Sequence, residues 1–146
     1  MSQPNVLFIF TDQLRADALG AAGDPIIRTP NLDRLADEGV RFDSAYSPCP
    51  VCVPARCSLI FGQYTDRTGC YENNYAMPSD RPSFMQAFTD AGYRTHGVGK
   101  MHFHPDLHAM NGFQTRDRQE EILSTVQEDD YLRDLHAAGY DYVHDP

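Results

Sequence analysis

The chain is short of positive charge. It has 12 Lys and Arg against 21 Asp and Glu, a formal net charge of −9. Phosphate backbones are held by clustered Lys and Arg, so nucleic acid is excluded as a natural partner. The same balance argues, more weakly, against a large polyanionic substrate. Long apolar runs are also missing. Val6 to Phe10 is the clearest one, too short for a signal peptide or a membrane span, and no basic stretch precedes it. The sequence shows no internal repeat and no low-complexity tract. Four cysteines crowd between Cys49 and Cys70 without a secretory signal, which reads as reduced thiols rather than a disulfide framework. A cytoplasmic protein is the expectation. At 146 residues the chain has room for one domain with a modest core.

Strands alternating with helices predict an α/β sheet flanked by helices. Val6 to Phe10 reads as a strand buried on both faces, with polar Thr11-Asp12-Gln13 at the carboxyl end where such sheets place ligands. Leu14 to Leu19 suggests a short helix closed by Gly20. Thr29-Pro30 is an N-cap with a first-turn proline, Leu32, Leu35 and Ala36 share a face, and Gly39 stops the helix. Val40 to Tyr46 reads as a strand leading into the cysteine loop. Ser83 to Ala91 is amphipathic and ends at Gly92, and Tyr93 to Val98 is the next strand. Asp106 to Glu121 reads as an active-site loop. Asp129 to Ala138 is a helix capped by Gly139, with Glu128-Asp129-Asp130 as its charged start.

The chemistry concentrates at Cys49-Pro-Val-Cys-Val-Pro-Ala-Arg-Cys-Ser-Leu-Ile-Phe-Gly62. Pro54 suits the first turn of a helix, which puts Cys52 just ahead of a helix N-terminus, where N–H groups and the dipole favour an anion. Arg56, one turn further, can add a planar fork of donors to an oxyanion. The alternative is an inert buried cysteine beside a proline turn.

Cys52-Val53-Pro54-Ala55-Arg56 resembles the Cys-x-Pro-x-Arg signature of type I sulfatases, in which the cysteine is oxidised to formylglycine after translation. Asn5 to Asp12, Thr29 to Leu35 with Gly39 to Phe42, and Gly99-Lys100-Met101-His102 are similar to further blocks of that family, in family order from Pro4 to Phe113. Cys49 and Cys57 are followed two residues on by Val51 and Leu59, so only Cys52 fits the signature. The resemblance implies the alkaline phosphatase-like α/β fold. Relatives several times longer make residues 1–146 the N-terminal part of a catalytic domain, incomplete without the second pair of metal ligands and inactive alone.

The implied activity is sulfuric ester hydrolysis on a sulfated small molecule or saccharide, after maturation by a formylglycine-generating enzyme. One hydroxyl of the hydrated aldehyde attacks sulfur; the other loses its proton as the hemiacetal collapses and expels sulfate. The implied metal is Ca²⁺, or Mg²⁺ or Mn²⁺, on Asp12 and the modified Cys52, with Gln13 offering a neutral oxygen where many relatives have a second aspartate. On its own, Asp12 equally suits a turn or N-cap. Arg56, Lys100 and His102 would meet the sulfuryl oxygens. By strand alternation Lys100 and His102 point the same way, although a solvated lysine and a surface histidine fit the spacing as well.

Met101-His102-Phe103 with Pro105-Asp106-Leu107-His108 partly resembles choline sulfatases. Asp12-Gln13 and Cys-x-Pro-Ala-Arg resemble phosphonate monoester and phosphodiester hydrolases of the same superfamily. From another class, His102, His104 and His108 with the cysteines could form a non-catalytic zinc module, although the paired Cys-x2-Cys spacing is missing. Arg116-Asp117-Arg118 reads either as a contact to distal substrate groups or as a solvated loop.

Overall fold

Helix α1, Pro30–Glu38, begins and ends where Thr29-Pro30 and Gly39 predict. Thr29 acts differently from the expected cap. Its hydroxyl accepts from the Gly20 N–H at 2.9 Å and donates to Asp33 Oδ1 at 2.8 Å, while the same carboxylate oxygen takes the Ala21 N–H at 2.7 Å. Asp33 thereby ties α1 to a 3-10 turn at Gly20–Ala22, which stands in place of the expected helix at Leu14–Leu19.

The computed structural model describes residues 3–120 and 128–140, in two compact units, Met1–Tyr46 and Ser47–Pro146. In the first unit neither expected strand forms. Val6 to Phe10 is irregular, and Leu7 and Ile9 are 85% and 72% exposed, not buried. Val40 to Tyr46 is irregular, with Val40, Phe42 and Tyr46 exposed. An apolar run becomes a buried strand only when other strands pair with it and helices cover it.

The second unit holds the remaining elements. Helix α2 spans Cys52–Phe61 and closes on Gly62 in the left-handed region. Helix α3 is the short Thr65–Thr68, and α4 is Phe84–Asp90, capped by Ser83, whose hydroxyl accepts from the Gln86 N–H at 3.0 Å. Strand β1, His96–Gly99, pairs in parallel with β2, Thr115–Arg118, in the register His96↔Thr115 to Gly99↔Arg118. β2 lies inside the stretch expected to be a loop, the last residue of which, Glu121, falls outside the described residues. Helix α5, Asp130–Ala137, is capped by Asp129, which accepts from the Leu132 N–H at 2.8 Å.

Two small cores hold α2 in place. Val53, Cys57 and Cys70 are fully buried together, with Phe61 and Met77 against them. Ile60, Met85 and Phe103 form the other, packed by Phe84, Met101 and Phe113. Burying a side chain such as Phe103, 2% exposed, is worth ~1.5–3 kcal/mol. Gly112 has φ 97°, and a Cβ there would stand 2.3 Å from the Gln86 backbone nitrogen. Only glycine lets the loop ahead of β2 lie this close to α4.

Candidate functional site

Cys52 is the first residue of α2, one position later than the proline placed it, with Val51 as the N-cap. The Ala55 N–H closes the first turn on the Val51 carbonyl at 3.0 Å. Pro54 has no N–H to satisfy there, and the Val53 N–H is taken by Asn73 Oδ1 at 2.9 Å. Asn73 therefore caps this helix from twenty residues away, a role that no local pattern advertises. Cys52 is half-buried at the positive end of the helix dipole. Arg56 follows four residues on, hence on the same side of the helix, and is 5% exposed.

The end of β1 brings the second half of the site. Gly99 closes the strand with φ 87°, a conformation that glycine adopts without a Cβ penalty. Lys100 then lies outside the strand, half-buried, and its Nζ donates to Cys52 Sγ at 3.8 Å. His102 is 8% exposed, so it is not a surface histidine, and its φ is 51°. With positive φ at both Gly99 and His102, strand alternation does not govern this segment; a turn does.

Glu120 supports that turn. Its carboxylate accepts the Met101 N–H at 2.9 Å and the His102 N–H at 2.9 and 3.1 Å. Arg116 pairs with Glu120 at 3.0 Å, each side chain being 1% exposed. Burial pulls the Arg116 guanidinium below its usual pKa, while Glu120 acts to hold it up. Arg118 contacts Asp130 and His108, and His96 lies 3.2 Å from Asp117. The Arg116–Arg118 stretch is thus a strand with internal partners, not the solvated loop that was one of its two expected forms.

Two of the other cysteines differ from Cys52 in burial. Cys57 and Cys70 are fully buried in the core. Burial pushes both thiols up, Cys70 to about 12, with Cys57 beside it contributing.

Asp12 and Gln13 stand in the first unit, in an exposed bend with Gln13 at φ 50°. A carboxylate next to an amide oxygen suits a hard divalent cation in donor chemistry. Among the described residues, however, no three His, Cys, Asp or Glu side chains gather into a metal-holding group.

The Sulfatase family model matches residues 4–144. An ulvan-active sulfatase of Formosa agariphila is 41% identical over 119 residues, which are 82% of this chain and 23% of that protein. A phosphonate monoester hydrolase of Agrobacterium radiobacter superposes with a TM-score of 0.78 at 26% identity, covering 96% of this chain and 30% of that one. An enzyme solved in complex with its substrate D-glucosamine-2-N,6-O-disulfate does so with a TM-score of 0.72 at 31% identity, covering 79% and 23%. The chain therefore spans only a minor part of each relative, and its α/β fold is the N-terminal portion of theirs.

Proposed function

We propose that this chain, which belongs to the sulfatase family, supplies the nucleophile and the first sulfuryl-oxygen contacts of a sulfuric ester hydrolase. The observation that carries the reading is the reach of Lys100 Nζ to Cys52 Sγ, 3.8 Å, at the N-terminus of α2. In the unmodified chain Sγ stands for the oxygens that the matured residue bears. Conversion of Cys52 to formylglycine by a formylglycine-generating enzyme supplies a carbon with two hydroxyls, so sulfate is released without attack by water.

The chain's own residues do the electrostatic work. The Lys100 ammonium and the α2 N-terminus place positive charge where negative charge gathers as the S–O bond breaks. Arg56 adds a fixed cation on the same side of the helix, and buried His102 adds a directional group at the next turn. Asp12 and Gln13 would hold a Ca²⁺, Mg²⁺ or Mn²⁺ ion, which would supply Lewis-acid chemistry to the reaction. A sulfated saccharide is the favoured substrate class, because the ulvan-active relative and the glucosamine disulfate complex both act on such esters.

The Asp12-Gln13 pair and the phosphonate monoester hydrolase superposition support a second reading, phosphonate monoester hydrolysis. The test is kcat/KM of the whole matured enzyme on a panel of sulfate monoesters and phosphonate monoesters. Higher kcat/KM on a sulfate ester is expected. A clear preference for the phosphonate would replace the first reading by the second.

A further inference from the structure

Glu120 is an ionisable side chain, 1% exposed, whose carboxylate meets the proposed reaction centre at the backbone N–H of His102. A carboxylate taken out of water is tolerated only where donors surround it. Here three donors converge on it: the Met101 and His102 N–H groups and the Arg116 guanidinium. Arg116 is itself held by further contacts. Its Nη1 donates to the carbonyls of Leu107 at 3.1 Å and Ala109 at 2.5 Å, and its guanidinium lies 4.7 Å over the ring of Phe103. The pair therefore links three things: the turn after β1, the strand β2, and the loop at Leu107–Ala109.

The turn needs such a link. Gly99 and His102 both have positive φ, and for histidine that is a disfavoured conformation that persists only when its surroundings impose it. Two successive N–H groups bound to one buried carboxylate impose it directly. A chain that needed only packing at this point would do as well with apolar side chains, which avoid the desolvation cost of an ion pair.

We propose that Glu120, braced by Arg116, is a positioning residue for the reaction: it fixes the Met101–His102 turn so that Lys100 keeps its reach to Cys52. The inference rests on the reading that Lys100 and His102 meet the sulfuryl group. A glutamine at 120 keeps the shape but replaces one acceptor oxygen by an NH₂ facing donors, so the turn loses at least one hydrogen bond and gains a clash of like groups.

The test uses the whole matured enzyme with Glu120→Gln, Lys100→Met, their double variant and Arg116→Lys, which keeps the charge but loses the fork. Amide hydrogen exchange at Met101 and His102 is followed beside steady-state kinetics. Glu120→Gln is expected to speed exchange at those two amides and to lower kcat about 10 to 10²-fold with KM little changed. The double variant should be no more than about twofold worse than Lys100→Met, because one residue acts through the other. Arg116→Lys should shift both measurements in the same direction, and it serves if Glu120→Gln does not fold.

Unchanged exchange in the folded variants overturns the brace itself. Faster exchange with unchanged kcat, or losses that simply multiply, overturns the positioning role. Wild-type turnover of Lys100→Met, with exchange still faster in Glu120→Gln, overturns the sulfuryl reading of Lys100 while leaving the brace standing, so the two failures are told apart.

Discussion

Lys100 Nζ lies 3.8 Å from Cys52 Sγ, across 48 residues of sequence, and that one contact joins the turn after β1 to the first residue of α2. Neither element alone makes a reaction centre. Helix α2 brings the thiol, the helix dipole and Arg56, and the segment after β1 brings the Lys100 ammonium. Together they set the Cys52 side chain, the nucleophile position proposed above, beside a second positive charge.

If that charge stabilises the transition state, Lys100→Ala and His102→Ala will each lower kcat of the whole enzyme by about 10² or more, the scale of losing one such donor. Steady-state kinetics on whichever ester the enzyme turns over best provides the check. Wild-type kcat in both variants would assign the two residues to structure alone.

Formylglycine is expected at Cys52 and at none of Cys49, Cys57 or Cys70. Only Cys52 has the proline two residues on and the arginine four residues on. It is also half-buried at a helix start, whereas Cys57 and Cys70 are enclosed in the core. Mass spectrometry of the tryptic peptide ending at Arg56, from cells that carry the maturation system, reads the conversion. A Cys52 that stays fully alkylatable in protein that hydrolyses sulfate esters would refute the mechanism.

The elements legible in the sequence are those whose signals are local. Thr29-Pro30 with Gly39, Ser83 with Gly92, and Asp129 with Gly139 bracket α1, α4 and α5 within a residue or two. Strand β2 was not legible, because Thr115-Arg116-Asp117-Arg118 has no apolar alternation and is a strand only through its pairing with β1. Val6 to Phe10 failed in the opposite way: its composition says buried strand, but burial depends on neighbours that the run does not itself contain.

The same division runs through the site. Cys52, Arg56, Lys100 and His102, the proposed site residues, stand in short motifs, so a pattern can point to them. Asn73 and Glu120 could not. Each acts on backbone N–H groups about twenty residues away, and each sits in a polar stretch where any one residue looks like its neighbours. Their importance lies in burial and in the donors they meet, which only the folded chain displays.

Asp12→Ala should remove both the bound metal and the activity of the whole enzyme. Asp12 is the carboxylate beside the Gln13 amide oxygen, a hard donor pair in a bend accessible to solvent. Elemental analysis of the purified variant is the direct measurement. Full metal occupancy without Asp12 would mean that the ligands lie elsewhere.

Cys57 and Cys70 should resist alkylation while the protein is folded. With its thiol pushed up to about 12, Cys70 at pH 8 holds on the order of 10³-fold less thiolate than an ordinary cysteine. Iodoacetamide under native conditions should label Cys49, which is only half-buried, well before either core thiol, and all should react in denaturant. Equal native labelling of Cys49 and Cys70 would show that the core around α2 opens readily.

Asp130 predicts an acid dependence of stability. Burial pushes its carboxyl pKa up, but the Arg118 N–H at 2.6 Å and the Arg133 and Arg118 side chains outweigh that and hold it below the ordinary carboxylate value. A folded-state pKa below the unfolded one means stability that is present above the unfolded value, near 3.9, and lost as pH falls through the folded value. Asp130 joins α5 to β2, so its loss is felt where the turn-bracing Arg116 also resides. Asp130→Asn keeps the size and one acceptor oxygen but removes the charge. It should cost about 1–3 kcal/mol at neutral pH, the range for a buried charged hydrogen bond. Denaturant unfolding of both proteins across the acid range measures the gap, which should narrow as the wild-type carboxyl takes up its proton. A gap that stays constant down to the pH where unfolding is complete would show that the charge of Asp130 contributes nothing, and that the side chain acts only through its shape.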